Sequence, residues 1–210
     1  MCGRYMITST FEAMAGLFEA SLADLGPEIR RLNVSPTEPV PVAVSHDGDR
    51  VVAPMRWGFL PTWYKAENER PLLINARAED LARKPAFRDA ARARRCLIPA
   101  DGFYEWQGAK GTAKVPYVIR PRADGPFALA GLWQEWRGIP TCVIVTCDAN
   151  AALAPIHERM PVIIAPEDFA LWLGEAGPGA ARLMVPAPEE DLLIEPADAD
   201  HREALTRRDI

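Results

Sequence analysis

Apolar residues along the chain follow two rhythms, one near 3.6 residues and one of two, and each predicts its own elements. After a short strand at residues 4–7, Ser9 or Thr10 caps a helix carrying Phe11, Met14, Leu17 and Phe18 at helical spacing. Asn33-Val34-Ser35-Pro36 reads as loop. β-branched runs at 40–44 and 51–59, separated by Ser45-His46-Asp47-Gly48-Asp49, predict a hairpin. Residues 79–95 carry a helical pattern with Pro85 near the start of its main segment and Phe87, Ala90 and Ala91 facing inward. Strand candidates at 101–107, 115–120, 127–136 and 141–147 follow so closely that pairing must be mostly antiparallel, since parallel crossovers need about a dozen residues or more. A short helix near 151–153, a strand at 161–164 and a helix at 166–173 complete the series. The pattern describes one α+β domain over residues 1–185, a curved, mostly antiparallel sheet or open barrel flanked by short helices. Residues 186–210 are acidic and proline-containing, which predicts a loosely held tail with one short strand around Leu193-Ile194.

Composition narrows the function classes. In 210 residues, 49% hydrophobic content and six Trp supply a continuous core, and no stretch approaches the roughly 18 apolar residues of a membrane span. A soluble, cytoplasmic, monomeric chain with no membrane partner is expected. The four cysteines, Cys2, Cys96, Cys142 and Cys147, have no metal-site spacing and no neighbouring histidine, so neither zinc nor a disulfide framework is suggested. A net charge of −5 opposes indiscriminate binding to duplex DNA, so any nucleic-acid contact must be local. One local candidate is the stripe Lys84, Arg88, Arg92 and Arg95, which is either a solvated face or a phosphate-contacting edge.

The chemistry starts at Cys2, in Met1-Cys2-Gly3-Arg4-Tyr5. Removal of Met1 leaves Cys2 with a free amine and a thiol on adjacent carbons. Such an aminothiol condenses with an aldehyde to an imine, and the thiol then closes on the imine carbon to give a thiazolidine ring. No cofactor is needed. A free α-amine has a pKa of about 7.7–8.0, so a useful minority is nucleophilic near neutrality.

Partners for that chemistry lie elsewhere. Strand alternation through Phe103-Tyr104-Glu105-Trp106 puts Glu105 on the face opposite Tyr104 and Trp106, among aromatics. Desolvation there raises its pKa and suits it to proton transfer, unless it is a sheet-edge carboxylate or pairs with an arginine. His157, just before an apolar strand, is either a titrating group facing a pocket or a satisfied structural histidine. Asn75 can orient a neighbouring amine or thiol, Arg77 can grip a phosphate, and both can equally be local capping and pairing groups. The segment from Trp57 to Trp63 adds aromatic surface suited to stacking bases, with Trp57 itself a core candidate.

These segments, read with Arg56-Trp57-Gly58, Asn75-Ala76-Arg77-Ala78-Glu79, the run from Arg95 to Trp106, Ala130-Gly131-Leu132-Trp133 and His157-Glu158-Arg159-Met160-Pro161, resemble the SRAP family, the SOS-response-associated peptidase-like proteins. The resemblance implies a shield of abasic sites in single-stranded DNA, with Cys2 as crosslinking nucleophile. It implies that Asn75 positions the Cys2 amine and Glu105 transfers protons. His157 would act on the sugar oxygen or leaving group and in reversal. Arg4, Asn33 and Arg77 would hold phosphates, with Trp63 or the prolines near Pro39 offered to bases. It further implies location at the nucleoid on damage and strand cleavage by β-elimination as a side reaction. Asp80 stands where the family often has threonine, and the tail at Glu195-Pro196-Ala197-Asp198 lacks the family's Val-Asn pattern. Two other readings compete. A cysteine peptidase or amidase would use Cys2 as nucleophile and His157 as base, and a non-covalent single-strand-binding module would leave Cys2 incidental.

Overall fold

A computed structural model describes residues 2–28, 30–68, 71–108 and 111–206. In chain order its first half comprises β1 (Tyr5–Ile7), α1 (Phe11–Phe18), β2 (Ser21–Leu22), β3 (Arg31–Val34), β4 (Pro39–His46), β5 (Asp49–Trp57), β6 (Asn75–Arg77) and α2 (Pro85–Ala93). The second half comprises β7 (Arg95–Ala100), β8 (Gly102–Gln107), β9 (Val115–Pro121), β10 (Phe127–Trp136), β11 (Ile139–Asp148), β12 (Arg159–Pro161), α3 (Phe169–Leu173), β13 (Leu192–Pro196) and α4 (Ala199–Thr206). Short helices around curved sheets make this α+β, as the pattern predicts.

The strands divide between two sheets. One runs β12-β11-β10-β7-β4-β5-β2 and closes on itself, because β11 also pairs in parallel with β5 at Thr141 opposite Arg56 and Cys142 opposite Trp57. Closure removes the open edges of β5 and β11, and β6 extends the parallel side, with Ile144 opposite Asn75. The other sheet runs β13-β9-β8-β1-β3. Cys96, Leu97, Ile98, Leu129, Val143 and Ile144 are all fully buried and belong to the main core.

Local chemistry explains the boundaries. Thr10 caps α1 by accepting the Ala13 N–H at 3.1 Å, and the helix stops where Glu19 turns left-handed at φ 50°. The helix expected over 79–95 is shorter. Ala78–Asp80 form a 3-10 turn, Pro85 forces Lys84 into extended backbone, and only Pro85–Ala93 are α-helical. Arg95 opens β7, and its guanidinium donates to the carbonyls of Ala91, Arg92 and Trp172. Lys84 pairs with Asp80 at 2.7 Å. Of the expected four-residue stripe, only Arg88 and Arg92 therefore lie within α2 on its exposed side.

Three further expectations change. Asn33 and Val34 belong to β3 and not to a loop, paired with β1 through Tyr5 opposite Val34. β7 was not anticipated, because Pro99 within Arg95–Ala100 argues against a central strand. β4 meets β7 only at Ala43 opposite Leu97, so the chain past Leu97 has edge character on that side. In the segment expected to be loosely held, β13 covers the predicted Leu193-Ile194 strand and pairs with β9, and α4 follows it, with Leu205 against Met6, Tyr104 and Val118.

Gly131 of β10 is closely packed against β7. A Cβ there would sit 2.8 Å from Cys96 Sγ and 2.9 Å from Ile98 Cδ1, both fully buried. Gly131→Ala should destabilise by about 1–3 kcal/mol, read as a lower urea midpoint. An unchanged midpoint would show that the barrel wall yields there.

Candidate active site

The site is built on β1, which is hydrogen-bonded on both sides. It pairs with β3 through Tyr5 opposite Val34 and with β8 through Tyr5 opposite Phe103 and Met6 opposite Gly102. Asp101 fastens the far end, accepting the Thr8 N–H at 2.6 Å and the Ser9 N–H at 2.9 Å. At the near end the Tyr104 N–H donates to the Arg4 carbonyl at 3.0 Å, and Cys2 Sγ lies 3.9 Å from that same oxygen. Cys2 is thus fully buried rather than frayed.

Asn75 completes the clamp. β6 is held by its parallel pairing to β11, and Trp57 Nε1 donates to the carbonyl of Ile74 at 3.1 Å. Trp57 is itself buried and meets Tyr5 edge-on at 5.1 Å between ring centroids. From this position Asn75 Nδ2 donates to the Cys2 carbonyl at 2.9 Å. Asn75 Oδ1 is buried and accepts no hydrogen bond among the described residues.

Glu105 enters from β8, opposite Tyr117. The predicted alternation holds: Phe103 joins the main core, while Tyr104 and Trp106 pack in a separate cluster with Met6 and Val118. At 2% exposure Glu105 does not point at bulk water. Burial pushes its carboxyl above the ordinary range, and the nearby His157 and other positive groups oppose this. Burial also pushes the Cys2 thiol well up, and the negative charge of Glu105 adds to the effect. Glu105 therefore acts on Cys2 and is itself acted on by His157. The loop that brings His157 is fixed by Asn150, whose Oδ1 accepts the Leu153 N–H at 3.0 Å, and by the His157 N–H donating to the Leu153 carbonyl at 3.0 Å. His157 Nδ1 lies 2.9 Å from the Arg159 N–H and 3.1 Å from the Arg159 carbonyl oxygen, so the backbone of residue 159 fixes that side of the ring.

The remaining predicted residues are more dispersed. Arg4 adjoins Cys2 and donates to the Gly3 carbonyl at 2.7 Å. Arg77 ends β6 with an exposed side chain. Trp63 is 54% exposed, in the loop after β5. Asn33, by contrast, is buried and donates through Nδ2 to the Ala204 carbonyl of α4 at 3.1 Å. Among the described residues no cluster of three His, Cys, Asp or Glu side chains could hold a metal ion.

Sequence reasoning missed Arg159. It is 5% exposed and donates to both carboxylate oxygens of Glu79 at 2.7 and 2.9 Å, to Asp148 at 2.6 Å and to the Thr146 carbonyl at 2.8 Å. The signal was an arginine directly before Met160-Pro161-Val162, since a charge entering an apolar strand must find partners. Its bridge to Glu79 joins the segment after Asn75 to the segment after His157.

The sequence model of the family described as SOS response associated peptidase (SRAP) matches residues 1–200. The chain belongs to the SRAP family. Among its relatives, the abasic site processing protein YoaM of Bacillus subtilis is 35% identical over 97% of this chain and 89% of its own length. The abasic site processing protein YedK of Escherichia coli is 32% identical over 82% of this chain and 79% of its own. A crystal structure of a Bacteroides thetaiotaomicron protein superimposes with a TM-score of 0.82 at 24% identity, covering 95% of this chain and 93% of that one, a likeness of fold. A phage-related protein of Bordetella bronchiseptica gives 0.71 at 28% identity, covering 93% and 94%.

In this SRAP chain the Arg159–Glu79 bridge should be acid-sensitive. The hydrogen bond from Arg159 holds the Glu79 carboxyl below its ordinary value. Its contribution is therefore present above the unfolded carboxyl pKa and is lost as pH falls through the folded one. The urea midpoint of wild type should exceed that of Glu79→Gln at about pH 6, and the two should converge by about pH 3. A gap that does not change with pH would mean the pair contributes no ionic term.

Proposed function

We propose that this protein, once Met1 is removed, handles abasic sites in single-stranded DNA by joining Cys2 covalently to the ring-opened sugar. The observation that carries the reading is the Asn75 amide, which holds the Cys2 carbonyl with its nitrogen and leaves a buried acceptor oxygen beside the same residue. A freed Cys2 amine supplies the donor that oxygen lacks, and its lone pair is left for the aldehyde carbon of the sugar. The names of the relatives, abasic site processing proteins, support the same substrate.

The steps balance without a cofactor. The amine attacks the aldehyde to give a carbinolamine. Glu105, whose carboxyl burial pushes up, delivers a proton to the leaving hydroxyl and water departs; the iminium left behind returns its N–H proton to the Glu105 carboxylate and becomes the imine. The thiol then adds to the imine carbon while its proton passes to nitrogen, closing the thiazolidine with net loss of one water. His157 serves the sugar oxygen during ring opening and the reverse reaction. Arg4 and Arg77 hold flanking phosphates and Trp63 stacks a base. Asn33 joins them only where α4 releases its amide. An imine left open permits β-elimination, so strand cleavage is the side reaction of the same residues.

The thiol's environment weighs against a peptidase. A cysteine nucleophile acts as thiolate beside a base. Here burial pushes the Cys2 thiol well up, ionised Glu105 would push it further, and its contact among the described residues is the Arg4 carbonyl. Proton loss from sulfur is better deferred until the imine is in place. A non-covalent binding module gives no reason for a clamp on Cys2.

Met1-free protein should give a denaturing-gel shift with single-stranded DNA bearing one abasic site and none with intact strand; absence of the shift overturns the reading. Cys2→Ser should leave at most a reducible imine, and an equally stable adduct would assign another nucleophile. Glu105→Gln should slow adduct formation by about 10²-fold or more. In wild type the rate should rise with pH as the amine deprotonates, then fall as Glu105 ionises at its raised pKa. In the glutamine variant the falling limb should vanish, and its persistence would assign the proton donor elsewhere.

A further inference from the structure

A cavity of about 560 Å3 opens between α2 and the chain following α3, and Cys2, Asn75, Glu105 and His157 are not among its lining residues. Its floor is apolar, formed by Leu81, Leu132, Trp172 and Met184. The volume lies in the range of about 300–1,000 Å3 that binding pockets occupy. The charged groups in its lining are Arg88, Arg92 and Arg95, and among the described residues no carboxylate lines it. In a chain of net charge −5, three arginines without an acid are a local excess and not the average surface.

The arginines are incompletely neutralised. Arg95 is half-buried, its hydrogen bonds go to the backbone carbonyls of Ala91, Arg92 and Trp172, and burial lowers its pKa. Its Nη2 lies 2.8 Å from where a Cβ on Gly174 would stand, so that guanidinium is held against a left-handed turn of φ 93° that a side chain would close. Arg92 has no side-chain partner among the described residues, and Arg88 reaches only its neighbour Asp89 at 3.4 Å. A cationic rim over an apolar floor calls for an anion carrying an apolar body.

We propose that this cavity docks an acidic peptide segment of a partner protein, with a large apolar side chain seated against the partly exposed Met184 and flanking carboxylates on Arg88 and Arg92. The lining favours peptide over nucleotide. It holds no Asn, Gln, Ser or Thr side chain to read a base edge, and the Trp172 indole N–H is already donated to the Cys96 carbonyl at 2.8 Å. Small residues at the mouth, Ala82, Gly177 and Ala181, admit close approach of a peptide backbone.

The test is fluorescence anisotropy with full-length protein and a labelled hexapeptide of two aspartates, leucine, phenylalanine and two aspartates, at low salt. Saturable binding is expected. The double charge reversal Arg88→Glu/Arg92→Glu, on the exposed face of α2, should weaken it by about tenfold or more. Ala82→Trp, which fills the mouth without changing charge, should weaken it as well, with both variants melting like wild type. No saturable binding, or equal affinity in both variants, overturns the proposal. Displacement of the peptide by hexathymidylate would assign the cavity to the DNA path and overturn it too.

Discussion

A three-residue strand paired on both sides keeps Cys2 inside the protein. Ordering backbone costs about 1–2 kcal/mol per residue, and a chain end has neighbours on one side only to offset it. Here β1 lies between β3 and β8, Tyr5 packs on Trp57, and Asp101 ties down Thr8 and Ser9. An N-terminal strand at a sheet edge would have left Cys2 in water. Placed centrally, it puts the Cys2 thiol within the field of a carboxylate that is itself out of water.

That placement separates two kinds of electrostatics a few residues apart. Around Cys2 and Glu105 burial favours the neutral forms of both groups. Around Arg159 the charges are kept, because Glu79 and Asp148 supply oxygens at hydrogen-bond distance. His157 stands between the two regimes: its Nδ1 is held by the Arg159 N–H, while its ring is felt by Glu105. The ionic cluster thus anchors the loop without placing a formal counter-charge against the thiol.

The period-two pattern made the hairpin of β4 and β5 and the strands β8 to β11 legible, and with them the inward face of Glu105. Cys2 and His157 could be singled out because residue type and neighbours sufficed. What stayed hidden depends on partners remote in sequence. β7 is a short apolar run with a proline, unremarkable until β10 and β4 flank it. β3 earns its strand geometry from β1. Asn33 is an amide any phosphate could use, until α4 brings the Ala204 carbonyl to it from 171 residues away. Arg159 gives the clearest case, since its partner Glu79 is 80 residues distant and only the fold sets them side by side.

How segments so far apart converge follows from β11. Its Thr146 lies opposite Arg77 of β6 and opposite Pro161 of β12, so the chain after Asn75 and the chain after His157 flank one strand. The parallel closure of the barrel through β5 sets the height of β6, because Gly58 N–H donates to the Cys142 carbonyl at 2.9 Å and the Phe59 N–H donates to the Leu73 carbonyl at 2.9 Å. Asn75 then falls level with Cys2, and Glu79 falls level with Arg159. A one-residue slip of β6 would turn Asn75 into the core and Ala76 toward Cys2, since side chains alternate along a strand. The register of a three-residue strand, fixed by barrel closure, is therefore what delivers the amide to Cys2.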